Sequence, residues 1–283
     1  MNTILVPSEL NELSDKVLDF AIDLAQQMQA KEIILLNCII PAHVQTMTAS
    51  GAPIDAGGAV AHELNRSMMK KREALISKQA GHHASDHVKI NPVVRFNSDK
   101  SDLNDYVEEF NVDLVVSGSR DQFSFLEILF GSPTEKMIRK MDFPMIIIKD
   151  EPVKTDIEEI ALAVDILKDY TQPGLQEIIE FAGVMKARLQ LVHVITDDKN
   201  SANDAIEYMQ GMAKANKISN YAINVIENHS LEDGLEGFIR KQNPDMVALL
   251  NQGKGKLHKL IFGSHTEDVL KEVDKPIFIS KMQ

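Results

Sequence analysis

The sequence contains no tryptophan and only one cysteine, Cys38, so no disulfide can form within the chain and a disulfide-stabilised secreted scaffold is excluded. It has no apolar run near the ~18 residues that a membrane-spanning helix needs. The segment 1–7 lacks the basic region and the long apolar region of a secretory signal peptide. We therefore expect a soluble, cytoplasmic protein with no membrane partner.

Basic residues are also scarce. The chain has 30 Lys and Arg against 42 Asp and Glu, a formal net charge of −12. A nucleic-acid partner is not expected, because binding phosphates requires a basic face. The content of 44% hydrophobic and 25% charged residues is that of an ordinary globular protein. The length of 283 residues predicts two domains, since one domain takes about 100–200 residues.

An internal repeat runs through the chain. The segment 113–135 recurs as 245–267, 132 positions later: the first begins DLVV and ends FGSPTE, and the second begins DMVA and ends FGSHTE. A repeat of this length indicates two copies of one domain. The chain therefore predicts two related halves, with domains at 1–150 and 151–283.

The two halves differ in length near their beginnings. Each opens with an apolar run followed by an acid, and these acids, Glu9 and Asp165, are 156 positions apart. The first half thus holds 24 more residues before its later motif. These extra residues are predicted to form an irregular loop over 41–60. That segment contains the turn-forming residues Gly51, Pro53, Gly57 and Gly58. That loop is either a mobile lid or disordered.

Both halves alternate short apolar runs with longer segments whose apolar residues recur at helical spacing. Near-continuous apolar strands alternating with helices are typical of a parallel sheet that is covered on both faces. The fold class is therefore α/β, with two tandem doubly wound domains. Each is expected to contain a five-stranded parallel sheet flanked by helices, and the polar segment 150–156 is predicted to link them.

Ligands of such sheets bind at the carboxyl ends of the strands, where the strand order reverses. The ends of the first and fourth strands carry Glu9 and residues 118–121 in the first half, and Asp165 and residues 250–253 in the second. The polar residues at these ends are therefore candidate ligand contacts.

A glycine and a serine follow nine residues later, Gly131-Ser132 or Gly263-Ser264, where a helix is predicted to begin. Exposed N–H groups at a helix start suit a phosphate. The segments 132–135 and 264–267 also fit the capping box Ser-x-x-Glu. A structural cap and a phosphate site both remain open from the spacing alone.

These residues resemble the universal stress protein family, whose ATP-binding members carry Gly-x2-Gly-x9-Gly-Ser/Thr and an aspartate after the first strand. The resemblance covers both halves and implies a tandem member of the family. It also implies the strand order 3-2-1-4-5 in each half. The two halves would pack through their last strands as an internal pseudo-dimer, and a homodimer of the whole chain stays open.

Neither half has the whole pattern. The first has Gly118, Gly131 and Ser132 but carries Asp121 at the second glycine position and Glu9 in place of aspartate. An acid beside phosphates brings like charges together, so this site is predicted to be degenerate.

The second half has Asp165, Gly253, Gly263 and Ser264, with Leu250 at the first glycine position. Residues 251–260 contain three lysines and no acid, whereas residues 119–128 contain one arginine and two acids. We therefore predict one nucleotide site, in the C-terminal half.

The resemblance and the chemistry assign roles within that site. Asp165 is expected to bind the base or ribose edge of ATP or AMP, and the backbone at Val194 to line the adenine pocket. Mg²⁺ could join through phosphate oxygens and a hydroxyl. The phosphates are assigned to the glycines, lysines and helix start of the second half: Gly253, Lys254, Lys256, Gly263, Ser264, His265 and Thr266.

Other polar residues have simpler interpretations. His82, His83 and His87 have no second cluster of metal ligands nearby, so a solvated loop is favoured over a zinc site and no metal is predicted. His193 lies in an apolar run and is expected to be packed or to line the cleft. Cys38 is expected to behave as a small hydrophobic residue.

Three functions follow, in this order. The first is a nucleotide-binding stress or signalling module with an unidentified protein partner. The second is an interaction scaffold whose nucleotide sites have decayed. The third is a slow ATPase, placed last because the chain has no Walker motif and no convincing group to orient a nucleophile. The protein is therefore not expected to be an enzyme.

Overall fold

A computed structural model provides the three-dimensional structure. It describes residues 1–42, 46–47, 53–54, 58–97, 103–118, 143–149, 154–166, 173–196, 201–251 and 274–281. Its elements in chain order are β1 (Thr3–Pro7), α1 (Glu12–Met28), β2 (Glu32–Ile39), β3 (Thr46–Met47), β4 (Pro53–Ile54), α2 (Gly58–His82), β5 (Lys89–Phe96), α3 (Leu103–Glu109), β6 (Leu114–Gly118), β7 (Met145–Ile148), β8 (Glu159–Ala163), α4 (Pro173–Met185), β9 (Arg188–Ile195), α5 (Ala202–Ala215), β10 (Tyr221–Glu227), α6 (Leu231–Gln242), β11 (Met246–Asn251) and β12 (Ile277–Lys281).

Ten strands form one sheet in the order β10-β9-β8-β11-β12-β7-β6-β1-β2-β5. Neighbouring strands are parallel except β7 and β12, which pair antiparallel and join the two halves. Within each half the order is third, second, first, fourth, fifth, as the family resemblance implied. The pairing of β3 with β4 forms a separate two-stranded sheet.

Helices cover both faces of the ten-stranded sheet. On one face α1, α2, α4 and α5 pack against the strands through apolar side chains such as Leu24, Ile76, Ile178 and Met209. On the other face α3 and α6 contribute Tyr106 and Phe238. Burial on both faces explains why the strands are nearly continuous apolar runs, and it confirms the predicted α/β class.

An aspartate before the fourth strand performs the same structural task in both halves. Asp245 Oδ2 accepts hydrogen bonds from the backbone N–H groups of Glu158 (2.9 Å) and Glu159 (3.0 Å) at the start of β8. In the first half Asp113 Oδ2 accepts from the N–H of Thr3 at 3.0 Å. The repeated aspartates therefore tie the start of the fourth strand to the start of the first.

The additional residues of the first half lie between β2 and β5. The prediction of an irregular loop over 41–60 is wrong for the paired strands β3 and β4 and for the last part, which is helical. Helix α2 begins at Gly58 and has 25 residues, whereas its counterpart α5 has 14. Residues 59–64 contain alanine, glutamate and leucine and no proline, which favours helix. The Asn65 side chain also accepts from the Ala42 N–H at 2.7 Å, which anchors this helix to the chain after β2. Residues 43–45, 48–52 and 55–57 lie outside the described residues.

Candidate functional site

Asp165 lies at the carboxyl end of the sheet, two residues after β8 ends at Ala163. The N–H of the preceding residue, Val164, donates to the carbonyl of Val192 on β9 at 2.8 Å. The Val164 carbonyl in turn lies 2.9 Å from His193 Nδ1. A carbonyl can only accept, so Nδ1 carries the proton of this hydrogen bond. Two contacts to β9 therefore position the backbone that presents Asp165.

The first half contains the same arrangement with a different side chain. Asn37 Nδ2 donates to the carbonyl of Ser8 at 2.7 Å, and the Ser8 N–H donates to β2 at 2.8 Å. Asn37 is the counterpart of His193. Asn37 follows Leu36, which pairs with the last residue of β1, and His193 follows Val192, which pairs with the last residue of β8. This pair was not predicted from the sequence. The available signal was that both are polar residues in apolar runs, 156 positions apart.

Glu9, the acid of the first half, has a partner at the start of α1. Its Oε2 accepts from Asn11 Nδ2 at 3.0 Å, and its N–H donates to Ser14 Oγ at 2.9 Å. Asn11 is also the N-cap of α1, and its Oδ1 accepts from the Ser14 N–H. The side chain of Glu9 is thus directed toward the helix start by groups of its own half.

Val194 lies near the carboxyl end of β9, two residues beyond the last residue of that strand that pairs with β8. Its side chain is buried and packs under the first turn of α6. A Cβ atom added at Gly234 would lie 2.5 Å from Val194 Cγ1, so glycine permits this close approach. The structure therefore brings Val194 and Asp165 to the same end of the sheet. The role of the Val194 backbone as an adenine contact stays a prediction.

Gly118, at the end of β6, has a structural reason to be glycine. A Cβ atom there would lie 2.8 Å from Leu13 Cγ and 2.9 Å from Val17 Cγ2, because α1 packs closely over the strand end. In the second half Leu250 takes this position on β11, and its side chain is half-buried against the core. Helix packing therefore accounts for this glycine of the pattern without a ligand.

The phosphate-binding part of the prediction falls on residues outside the described ranges. It stays a prediction for Gly131 and Ser132 in the first half and for seven residues in the second: Gly253, Lys254, Lys256, Gly263, Ser264, His265 and Thr266.

The prediction that the histidine cluster forms a solvated loop is wrong for His82 and His83. His82 is the last residue of α2, and the side chain of His83 is only 16% exposed. His83 Nδ1 lies 2.6 Å from Asp19 Oδ1, and its Nε2 lies 3.3 Å from Asp15 Oδ1. The two aspartates are one turn apart on α1, so the ring joins the end of α2 to that helix. Sequence distance concealed this contact.

Within the residues that the structure describes, no group of three His, Cys, Asp or Glu side chains is arranged to hold a metal ion. Among the helices that the structure describes, none combines the length and the apolar character that crossing a membrane requires.

A groove of 430 Å³ lies beside the outer strand β10, between it and α6. Its lining includes Asn224, Ile226, Phe238 and Lys241. This groove is separate from the carboxyl-end residue Asp165, and no feature of the sequence predicted it.

The comparisons with known proteins agree with the fold. The model of the universal stress protein family matches residues 1–149 and 157–281. Universal stress protein G of Salmonella typhimurium is 28% identical over 149 residues, which are 52% of this chain and 98% of that protein.

Solved structures resemble the whole chain. A universal stress protein from Archaeoglobus fulgidus has a TM-score of 0.64 at 20% identity and covers 99% of this chain and 96% of its own. The cytoplasmic domain of a prokaryotic cation chloride cotransporter has a TM-score of 0.51 at 11% identity, with 99% and 94% covered. At these identities the two structures show the fold alone. The two matches of the family model nevertheless place this chain in the universal stress protein family, as a tandem member with two family domains.

Proposed function

We propose that the chain binds an adenine nucleotide, ATP or AMP, at the carboxyl end of the C-terminal half's sheet and acts as a stress-response or signalling module. The observation that carries the proposal is the position of Asp165. It follows β8, whose neighbours in the sheet are β9 on one side and β11 on the other. The chain leaves β8 for β9 on one side, and after β10 it returns past β8 to β11 on the other side. This reversal makes the end of β8 the switch point where parallel sheets bind ligands.

The chemistry at this point suits a nucleoside. The carboxylate of Asp165 can accept hydrogen bonds from ribose hydroxyls or a base amino group. The end of β9 lies beside it and is held to Val164 by His193. A backbone positioned in this way favours tight binding, because less conformational freedom is lost when a ligand is ordered.

The phosphates would be bound by the loop and helix start that follow β11. Backbone N–H groups near Gly253 and Gly263 would approach the phosphates, with Lys254 and Lys256 as flexible counter-charges. Mg²⁺ would join through phosphate oxygens and the Ser264 hydroxyl. These assignments rest on the sequence pattern and on membership of the family.

The first half supports the proposal by contrast. Its acid is the longer Glu9 instead of aspartate, and its loop carries Asp121 where a glycine would favour phosphate. We therefore infer that the C-terminal half holds the nucleotide and that the first half does not.

A scaffold without nucleotide is the second candidate, and one observation favours it. Leu250 replaces a glycine of the family pattern and packs its side chain against the core beside the predicted ribose. A thermal shift separates the two proposals: a ligand at 100 times its dissociation constant stabilises by about 2.7 kcal/mol. No shift with millimolar ATP, ADP or AMP supports the scaffold. Phosphate release that depends on Asp165 would instead indicate an ATPase.

Titration calorimetry with Mg-ATP and with AMP tests the proposal. Asp165→Ala is expected to weaken binding at least about tenfold, as loss of hydrogen bonds to a charged group does. Glu9→Ala is the matched control in the first half and leaves the affinity unchanged. Gly263→Val and Gly131→Val form a second pair with the same expected asymmetry. Wild-type affinity in both C-terminal variants contradicts the proposal.

A further inference from the structure

The two outermost strands of the sheet, β5 and β10, differ in the backbone groups that they turn outward. On β5 the N–H groups of Lys89 and Asn97 donate inward to the β2 side, at 3.2 and 2.8 Å. Since the direction alternates along a strand, the even residues of β5 face outward, Pro92 among them. Proline has no N–H, so the middle of this edge offers no donor to another strand.

On β10 the inward groups are those of the even residues. The Asn220 carbonyl accepts from Leu189 at 3.0 Å, and the Asn228 N–H donates to Ile195 at 3.1 Å. The outward groups of the strand therefore belong to its odd residues, Tyr221, Ile223, Val225 and Glu227. Ile223 has the register position that Pro92 has in the first half, because Leu191 pairs with Ile223 as Leu35 pairs with Pro92.

The side chains of the two edges differ in the same sense. β5 carries Lys89 and Arg95, whereas residues 221–226 of β10 contain no charge and no proline. Charges and prolines are the means by which proteins prevent edge strands from pairing with other chains. The β10 edge has neither along most of its length.

In the first half a charged side chain takes the register position that lies beside the groove in the second half. There the Arg95 guanidinium lies 3.1 Å from Glu109 on α3 and 5.8 Å from the centre of the Phe110 ring, and so bridges strand and helix. Ile226 has the register position of Arg95. Ile226 pairs with Val194, the residue after His193, and Arg95 pairs with Cys38, the residue after Asn37. The space next to β10 is consequently left open.

We propose that β10 is an interface with a second copy of this chain, which pairs with it antiparallel about a two-fold axis at Asn224. In this register Tyr221 lies opposite Glu227 of the partner subunit, and Ile223 lies opposite Val225 of the partner subunit. The strand is complementary to itself, as a two-fold interface requires. Outward groups meet outward groups along its whole length, and no like charges stand opposite each other. The two sheets continue as one.

A second copy is the occupant that the edge fits best. Every described strand residue from 221 to 226 is half-buried, neutral and matched to its own counterpart in this register. A strand of unrelated sequence would gain the backbone hydrogen bonds but not this match of side chains. The proposal does not depend on nucleotide binding, since it rests on the register and the backbone directions of β10.

Sedimentation of the full chain from micromolar to millimolar concentration tests the interface. The wild type is expected to dimerise, and Ile223→Pro to raise the dimer dissociation constant at least about tenfold by removing one outward donor per copy. The first half tolerates proline at this register position, so the variant is expected to fold, which circular dichroism checks. Ile90→Pro is the matched control on the other edge and leaves dimerisation unchanged. A monomer at every concentration, or a dimer that Ile223→Pro does not weaken, overturns the proposal.

Oxidative cross-linking tests the register. Opposed residues of a non-hydrogen-bonded antiparallel pair have Cα atoms about 4.5 Å apart, within the ~4.4–6.8 Å that a disulfide spans. Asn224→Cys in a Cys38→Ala background is therefore expected to form a covalent dimer on mild oxidation. Ala222→Cys, on the same side of the strand but away from the axis, is not. Equal cross-linking of the two variants, or none in Asn224→Cys, contradicts the two-fold axis at Asn224.

Discussion

His193 donates a hydrogen bond from Nδ1 to the carbonyl oxygen of Val164, 2.9 Å away. This contact links the second strand of the C-terminal half to the residue that precedes Asp165. In the first half Asn37 makes the corresponding contact, although an amide and an imidazole differ in shape. Both halves therefore stabilise the carboxyl end of their first strand from the neighbouring strand.

Replacing His193 by alanine is expected to destabilise the protein. The Val164 carbonyl would lose its side-chain partner, and a buried acceptor without one costs about 1–3 kcal/mol. His193→Asn, which introduces the residue of the first half, is expected to retain most of that stability. Urea unfolding measures both, with the exposed His229→Ala as control. Equal losses in the alanine and asparagine variants would show that the hydrogen bond is unimportant.

The Asp245 carboxylate is expected to contribute stability that disappears in acid. Burial opposes its charge, but hydrogen bonds from the Glu158 and Glu159 N–H groups and from Lys154 outweigh burial and hold the pKa below its ordinary value. A lowered pKa in the folded state gives stability that is present above the ordinary pKa and lost as the pH falls through the folded one. Asp245→Ala is therefore expected to unfold more easily at neutral pH, by about 1.5–3 kcal/mol.

The test for Asp245 is urea unfolding over a series of pH values. The difference between wild type and Asp245→Ala should shrink as the solution becomes strongly acidic. Lys154→Met, which removes only an exposed partner, should change stability little. A difference that is constant with pH would show that ionisation of Asp245 has no part in it.

Glu177 on α4 is expected to have the opposite pH dependence. Burial raises the pKa of its carboxyl group, although the Ser280 hydroxyl donates to it and opposes the shift. A raised pKa means that the folded state retains the proton longer, so stability falls as the pH rises above the ordinary pKa. Glu177→Gln should therefore flatten the stability curve between mildly acidic and neutral pH in urea unfolding. Glu207→Gln, exposed on α5, should leave the slope as in the wild type.

Two glycines of α4 are expected to respond oppositely to alanine. A Cβ atom at Gly174 would collide with the backbone carbonyl of Lys281 on β12, whereas one at Gly183 would meet no atom within 4 Å. Gly174→Ala should destabilise by about 1–3 kcal/mol through overpacking. Gly183→Ala should stabilise by about 0.5–1 kcal/mol, because alanine loses less backbone entropy in a helix. Thermal unfolding measures the two changes, and the same sign for both would contradict the close contact.

Much of the fold could be predicted because its signals are local. The apolar runs and helical spacings indicated alternating strands and helices, and the 132-residue repeat indicated two copies. The position of Asp165 after the first strand of its half followed from the same pattern, and the structure places it there. The phosphate contacts stay predictions, because they rest on a pattern in residues that the structure does not describe.

The contacts that the sequence analysis missed join residues far apart in the chain. His83 contacts Asp15 and Asp19, which lie more than sixty positions earlier. The loop predicted over 41–60 was wrong at Gly58–Val60 because glycine there begins a helix that Asn65 anchors to Ala42. The type of one residue does not reveal which distant residue it contacts.

The sequence by itself determined that this protein consists of two copies of one α/β domain, since composition, spacing and repetition are properties of the chain. Only the tertiary structure decided which strands became the outer edges and which backbone groups those edges expose. At Pro92 the β5 edge offers no donor, because the missing N–H would face outward. At Ile223 the β10 edge offers one, because the corresponding N–H is present and faces outward. Strand neighbours and register set these directions, and both depend on pairing between residues that are distant in the chain.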